Sequence, residues 1–209
     1  MYKKSFLYVF FFLLIGSIHV ACQTKKQKLV GGGCEGCEAL LEFGNQKLTS
    51  TDTLPLFEEN SPKLKLTGTV FKKDGKTPAP GVIIYIHHTG RSGLYENLNN
   101  EKGWGKRHGS FRGWVKTGAD GRYVFYTFRP KAYPDRSEPE HIHITVKEPN
   151  TNSYYLDDFV FDDDPLLTLQ KRKQLPKRGG SGISKPLLKN GILTIERNLI
   201  LGLNIPDYD

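Results

Sequence analysis

The chain predicts an all-β fold, an antiparallel β-sandwich with one short helix, and three observations carry that expectation. Alternating runs (KLTGTVF, RYVFYTF) and a β-branched run (VIIYI) are set apart by the Gly- and Pro-bearing breaks KDGKTPAPG and GADG. Period-two alternation is the pattern of a strand with one buried face, and Gly, Pro, Asn and Asp at the breaks supply turn chemistry. Two further strand-like runs, HIHITVKE and YYLDDFVF, flank EPNTN, and Asn190-Gly191 separates LLK from ILTIE, the strongest short-range signal of a two-residue hairpin.

Taken in order, residues 1–21 read as an export leader. Lys3 and Lys4 give a basic start, residues 6–18 are rich in Phe and Leu, and Ala21 precedes Cys22. The apolar stretch is short for a membrane span. Because Cys22 follows it directly and the polar stretch QTKKQK comes next, the site reads as a lipoprotein cleavage point with Cys22 as the lipid anchor. His19 stands where that motif usually has Leu, so cleavage by an ordinary signal peptidase stays open. Such a chain is expected in the cell envelope, membrane-anchored on a periplasmic or outer-membrane face. Residues 22–60 are polar and Gly-rich with little periodicity, and are expected to form a tether or adaptor. Residues 61–209 are expected to form the sandwich, large enough to bury one core.

Within that domain, KLTGTVF and VIIYIHH are expected to form a hairpin across KDGKTPAPG, and FRGWV and RYVFYTF a second one across GADG. After FDDDP, Asp164 as N-cap and Pro165 at the first helical position predict the helix, running through LLTLQKRK.

The formal charge is +8, from 30 basic and 22 acidic side chains, and loss of Lys3 and Lys4 with the leader lowers it to +6. The basic residues gather at Lys25, Lys26 and Lys28 and in KRKQLPKR, without aromatic interleaving or a recognition motif, so no nucleic-acid partner is expected. A solvated surface is the plainer reading, with attraction to anionic lipid headgroups as the other. Cys34 and Cys37 in CEGC are expected to form a local disulfide in an exported protein. A redox role needs a strand and a helix around them, and zinc needs two more ligands. The acidic residues Asp157, Asp158, Asp162, Asp163 and Asp164 lack the alternating ligands and Gly-dependent turn of a calcium loop and read as caps and solvated groups.

Function turns on Tyr95, Tyr133, His141 and His143. Successive strand residues face opposite ways, so His141 and His143 point the same way, roughly 6.6 Å apart. That suits two metal ligands, and it equally describes two strand histidines satisfied locally. Two imidazoles with two phenol oxygens make a mixed donor set that favours ferric iron over zinc. Tyr85, Tyr123, Tyr126, Tyr154 and Tyr155 follow strand faces and read as packing residues.

The order VIIYIHHTGRSGLY, TGADGRYVFYT, RPKAYP and EHIHITV, over residues 64–161, resembles the intradiol ring-cleavage dioxygenases, such as catechol and protocatechuate dioxygenases. HHTGRSGLY keeps the family's gap between the WHAN or WQAN strand end and its first tyrosine; Ala132-Tyr133-Pro134 matches the PYP-type motif and His141-Ile142-His143 the HIH-type motif. The resemblance implies Fe(3+) held by Tyr95, Tyr133, His141 and His143, with Tyr133 the displaceable ligand and base. It further implies a catechol-type aromatic and O2 as reactants, a muconate-type diacid as product, and an oligomer as a possible assembly. The family's Arg three residues before the first histidine is Glu138 here, in EPEH, and Arg136, or else Arg112 or Arg129, is the candidate to replace it. The family's Gln on the following strand aligns with Asp158. A non-catalytic surface sandwich of the transthyretin-like or carboxypeptidase-regulatory type is the competing expectation, since the runs before residue 128 also fit it.

Overall fold

The computed structural model describes residues 28–209; the leader, Cys22, Lys25 and Lys26 lie outside the described residues. Two mixed sheets face each other. In the first, β1 (Thr51–Thr53), β5 (Arg122–Phe128), β2 (Lys63–Phe71), β11 (Ile192–Glu196) and β10 (Leu187–Lys189) lie in that order, and β12 (Leu199–Ile200) pairs with the far end of β2. In the second, the order is β4 (Arg112–Lys116), β3 (Ile83–His87), β6 (His141–Lys147), β8 (Phe159–Phe161) and β9 (Ile183–Ser184), with β7 (Ser153–Tyr155) also on β6.

Alternation explains the layering. Along β2, Leu64, Leu66 and Val70 are buried while Lys63, Lys65, Thr67 and Thr69 are partly exposed. They meet Tyr123 and Phe125 of β5 and, from the second sheet, Ile84, Ile86, Ile142, Ile144, Val146, Phe159 and Phe161 in one core. Burying each such side chain contributes about 1.5–3 kcal/mol.

The sandwich is as expected, but its pairing is not purely antiparallel: β1 with β5, β11 and β12 with β2, and β8 with β9 run parallel. Nor do the two early hairpins form. β2 and β3 lie in different sheets, as do β4 and β5, so KDGKTPAPG and GADG carry the chain from one sheet to the other. Turn residues fix a reversal of direction; they do not fix whether an apolar face is buried by a neighbour in the same sheet or by the sheet opposite. The Asn190-Gly191 hairpin does form, with φ of 50° and 79° at the two turn residues and Lys189 opposite Ile192.

Two local expectations are corrected. The helix after the acidic run, α2, is Leu169–Gln174, capped by Thr168 Oγ1. Asp164 does accept from Leu166 N at 2.8 Å, but it also holds Glu140 N, and the turn it starts is not continued. A second helix, α1 (Gly105–His108), and a 3-10 turn (Cys37–Leu41) were not expected. Residues 28–60 are not a free tether: Val30 and Leu54 enter the sandwich core, and Ala39 and Leu40 pack on the outer face of the second sheet against Tyr85 and Trp114. Their apolar residues are few and unperiodic because a turn, and no long strand or helix, delivers them. Cys34 and Cys37 are disulfide-bonded. Asp157 takes the N–H groups of Lys177 and Arg178, Asp162 pairs with Arg172, and Asp163 with Arg129, so these carboxylates are committed within the fold. Among the described residues no helix is long and apolar enough to cross a membrane.

His88 ties the two sheets and reports on pH. It is buried, its Nδ1–H donates to Thr89 O at 2.8 Å, and its Nε2 accepts from Thr127 Oγ1 at 2.7 Å. Burial lowers its pKa from 6.5 to about 4. The unfolded chain therefore binds the extra proton first, and stability falls as pH drops from about 6.5 toward 4, by up to about 3 kcal/mol for this residue. Denaturant midpoints measured across that range are expected to fall with acid, and the fall to shrink in His88→Gln.

Candidate metal centre

The site grows out of strand alternation. On β6, Ile142, Ile144 and Val146 face the core, which turns His141 and His143 to the outer face of the second sheet. Next to them β3 sends Ile84 and Ile86 inward and Tyr85 and His87 outward, with His87 directly opposite His143. The two tyrosines come from loops: Tyr95 follows β3, and Tyr133 precedes β6.

These loops are fastened to each other. Thr89 Oγ1 donates to Lys131 O at 2.6 Å, and Lys131 N donates to Gly90 O at 3.3 Å. Gly93 has φ of 78°, and a side chain there would begin 2.3 Å from Ala132 O. Only glycine permits this crossing, which brings the two tyrosines to one point.

At that point four donor atoms converge. Tyr95 Oη lies 2.8 Å from Tyr133 Oη and 2.9 Å from His143 Nε2. Tyr133 Oη lies 3.2 Å from His141 Nε2, and the two Nε2 atoms are 3.2 Å apart. Ligand atoms that share one ion at about 2 Å stand about this far from each other.

Both imidazoles are held in the tautomer that leaves Nε2 free. His141 Nδ1–H donates to Pro139 O at 2.7 Å. His143 Nδ1 faces Asp158 Oδ2 at 3.1 Å, the carboxylate–histidine pairing that fixes a ligand's ring and raises its basicity. Burial pushes the Tyr95 and Tyr133 hydroxyls above the ordinary tyrosine range, so both phenols stay neutral unless a cation offsets the cost. Burial and the charge of His143 lower His141. Burial also disfavours the charged form of His143, but Asp158 outweighs it and raises the group. His141, His143 and Asp158 also offer ligand atoms within 4.8 Å of one another; Asp158, however, stands at the Nδ1 side of His143, away from the nitrogen that meets the phenols. The donor set fits a hard trivalent cation such as ferric iron.

The other expected residues lie elsewhere. Arg136 is exposed, has φ of 56°, and borders a second cavity that Tyr133 also lines, not the one onto which His141 and His143 open. Arg129 is spent on Glu140 and Asp163, and Arg112 on Glu42 and Glu101. Glu138 does border the cavity of about 330 Å³ that opens onto Tyr133, His141 and His143. Two further residues were missed. His87 is buried and stacked between His143, at 4.6 Å, and His108, at 3.8 Å, and His108 Nδ1 meets Tyr85 Oη at 2.9 Å. Tyr85 and His87 alternate along VIIYIHH, which was the available signal for a shared outer face. Asp158, expected at the place of the family's Gln, holds His143.

No protein-family model matches the chain. A curated protein, catechol 1,2-dioxygenase 1 of Acinetobacter lwoffii, is 28% identical over 169 residues, which cover 69% of this chain and 52% of that protein. The chain resembles the intradiol ring-cleavage dioxygenases in sequence. It spans about half the length of that curated relative. Among solved structures, the dioxygenase domain of a dioxygenase carbohydrate-binding fusion from Streptomyces sp. SirexAA-E aligns with a TM-score of 0.54 at 20% identity, covering 77% of this chain and 94% of that one. Catechol 1,2-dioxygenase from Pseudomonas arvilla C-1 aligns with a TM-score of 0.54 at 16% identity, covering 73% and 56%. These likenesses establish that the sandwich is the fold of intradiol dioxygenases.

Proposed function

We propose that this relative of the intradiol dioxygenases is itself one, holding ferric iron through Tyr95, Tyr133, His141 and His143 and cleaving an ortho-diphenol between its hydroxylated carbons. The convergence of two phenol oxygens and two imidazole Nε2 atoms, at 2.8–3.2 Å, carries this reading. When bound, the ferric ion accepts electron density from the chelated diphenol and makes its ring reactive toward O2. The residues do the rest. Tyr133, which lines the cavity and would be a phenolate with the cation bound, would accept one diphenol proton at its Oη, the other leaving to solvent. Pro139 O and Asp158 keep both histidines from turning as Tyr133 moves. The wall of Leu156, Val160, Leu175 and Pro176 excludes water from the ring. Both atoms of O2 end in the two new carboxyl groups, so the balance needs no external reductant.

Export and lipid anchoring through Cys22 belong to the same proposal, and the Cys34–Cys37 disulfide supports an oxidising compartment. Iron-loaded protein is expected to be red to purple from phenolate-to-iron charge transfer, to change colour when catechol is added, and to consume O2. The non-catalytic sandwich predicts a colourless protein that stays so after reconstitution with ferric iron, and that result would refute the enzyme.

A further inference from the structure

Resting on that reading, we infer that the site selects ortho-diphenols with cationic or neutral ring substituents and rejects those bearing a carboxylate. The cavity onto which Tyr133, His141 and His143 open is lined by three carboxylates, Glu138, Asp157 and Asp158, and among the described residues by no Lys or Arg. Its remaining wall is apolar or aromatic, from Tyr155, Leu156, Val160, Leu175 and Pro176.

The nearby cations do not reverse this balance. Lys171 Nζ lies 3.3 Å from Glu138 Oε2, also donates to Ser137 O, and does not line the cavity. Arg178 is buried, donates to Gly31 O, and lies 3.6 Å over the Tyr155 ring without lining the cavity. Arg136 borders the other cavity.

The three carboxylates differ in what they can do. Asp157 spends its oxygens on two backbone N–H groups, and Asp158 faces His143. Glu138 is the carboxylate that can still meet a substituent: Lys171 meets its Oε2, and its side chain is 56% exposed. A substrate that reaches iron with both oxygens has its ring directed out along this cavity. A carboxylate on that ring meets Glu138 as a like charge, with no guanidinium or ammonium among the described lining residues to pair with it. An ammonium there meets an opposite charge and the face of Tyr155. Two unit charges at about 6 Å, in a partly wet site, change affinity by on the order of threefold to a hundredfold.

The test titrates iron-loaded full-length protein, without O2, with dopamine, unsubstituted catechol and protocatechuate, following the visible band. Dopamine and catechol are expected to bind roughly tenfold more tightly than protocatechuate. Glu138→Arg is expected to invert the order of dopamine and protocatechuate while keeping the band of the resting protein, because Glu138 is no candidate ligand. Equal or tighter binding of protocatechuate by the unaltered protein, or an order indifferent to Glu138→Arg, would overturn the inference and leave the ferric centre standing. If no band forms with iron, or no diphenol perturbs it, the proposed function fails and this inference with it.

Discussion

Tyr133→Phe and His143→Ala are each expected to strip the protein of iron and of colour while the sandwich stays folded. Each change deletes one of the four converging atoms. Loss of a residue that merely holds a ligand costs roughly ten- to a hundredfold in metal affinity, and loss of a ligand costs more. In His143→Ala the carboxylate of Asp158 also loses its partner. His143 sits on the outer face of the second sheet and Tyr133 on the loop before β6, both partly buried, so the core of Ile142, Ile144 and Val146 is untouched. Iron per chain after reconstitution, read beside far-ultraviolet circular dichroism, decides the matter. Full iron content in either variant would remove that residue from the ligand set.

Gly93→Val is expected to have a comparable effect at a distance. The left-handed backbone there costs roughly 1–2 kcal/mol for any residue with a Cβ, and the new side chain starts 2.3 Å from Ala132 O. Ala132 precedes Tyr133, and Tyr95 follows two residues after Gly93, so the strain is relieved by moving the two phenols apart. Gly32→Val is the control: φ there is 69°, and nothing lies within 4 Å of the added atom. Both variants are expected to lose a little stability, and only Gly93→Val to lose the visible band. Equal iron retention in the two would mean that the loop crossing does not position the tyrosines.

The candidate site was more legible in the sequence than the fold around it. Four side chains with spacing set by strand alternation and by short motifs leave a local trace, as His141-Ile142-His143 and Ala132-Tyr133-Pro134 do. The partner of an apolar strand face leaves none, which is why KDGKTPAPG and GADG read as hairpin turns although each joins two sheets. Leu40 gave no periodic signal because it is buried by a single turn on Tyr85 and Trp114. Asp158 is the instructive case. In the acidic run it reads as a cap or a solvated group, yet its role depends on β6 standing beside the chain before β8, a long-range fact that no local pattern encodes.

Strand β6 therefore carries two messages in one stretch of seven residues. Its even-numbered side chains, Ile142, Ile144 and Val146, are spelled for oil; the odd-numbered His141 and His143 are spelled for chemistry. Mutational drift in one set does not rewrite the other, so the scaffold can be repacked while the donors stay fixed. Deleting a single residue from the strand would garble both at once, placing imidazoles in the core and isoleucines at the donors' place.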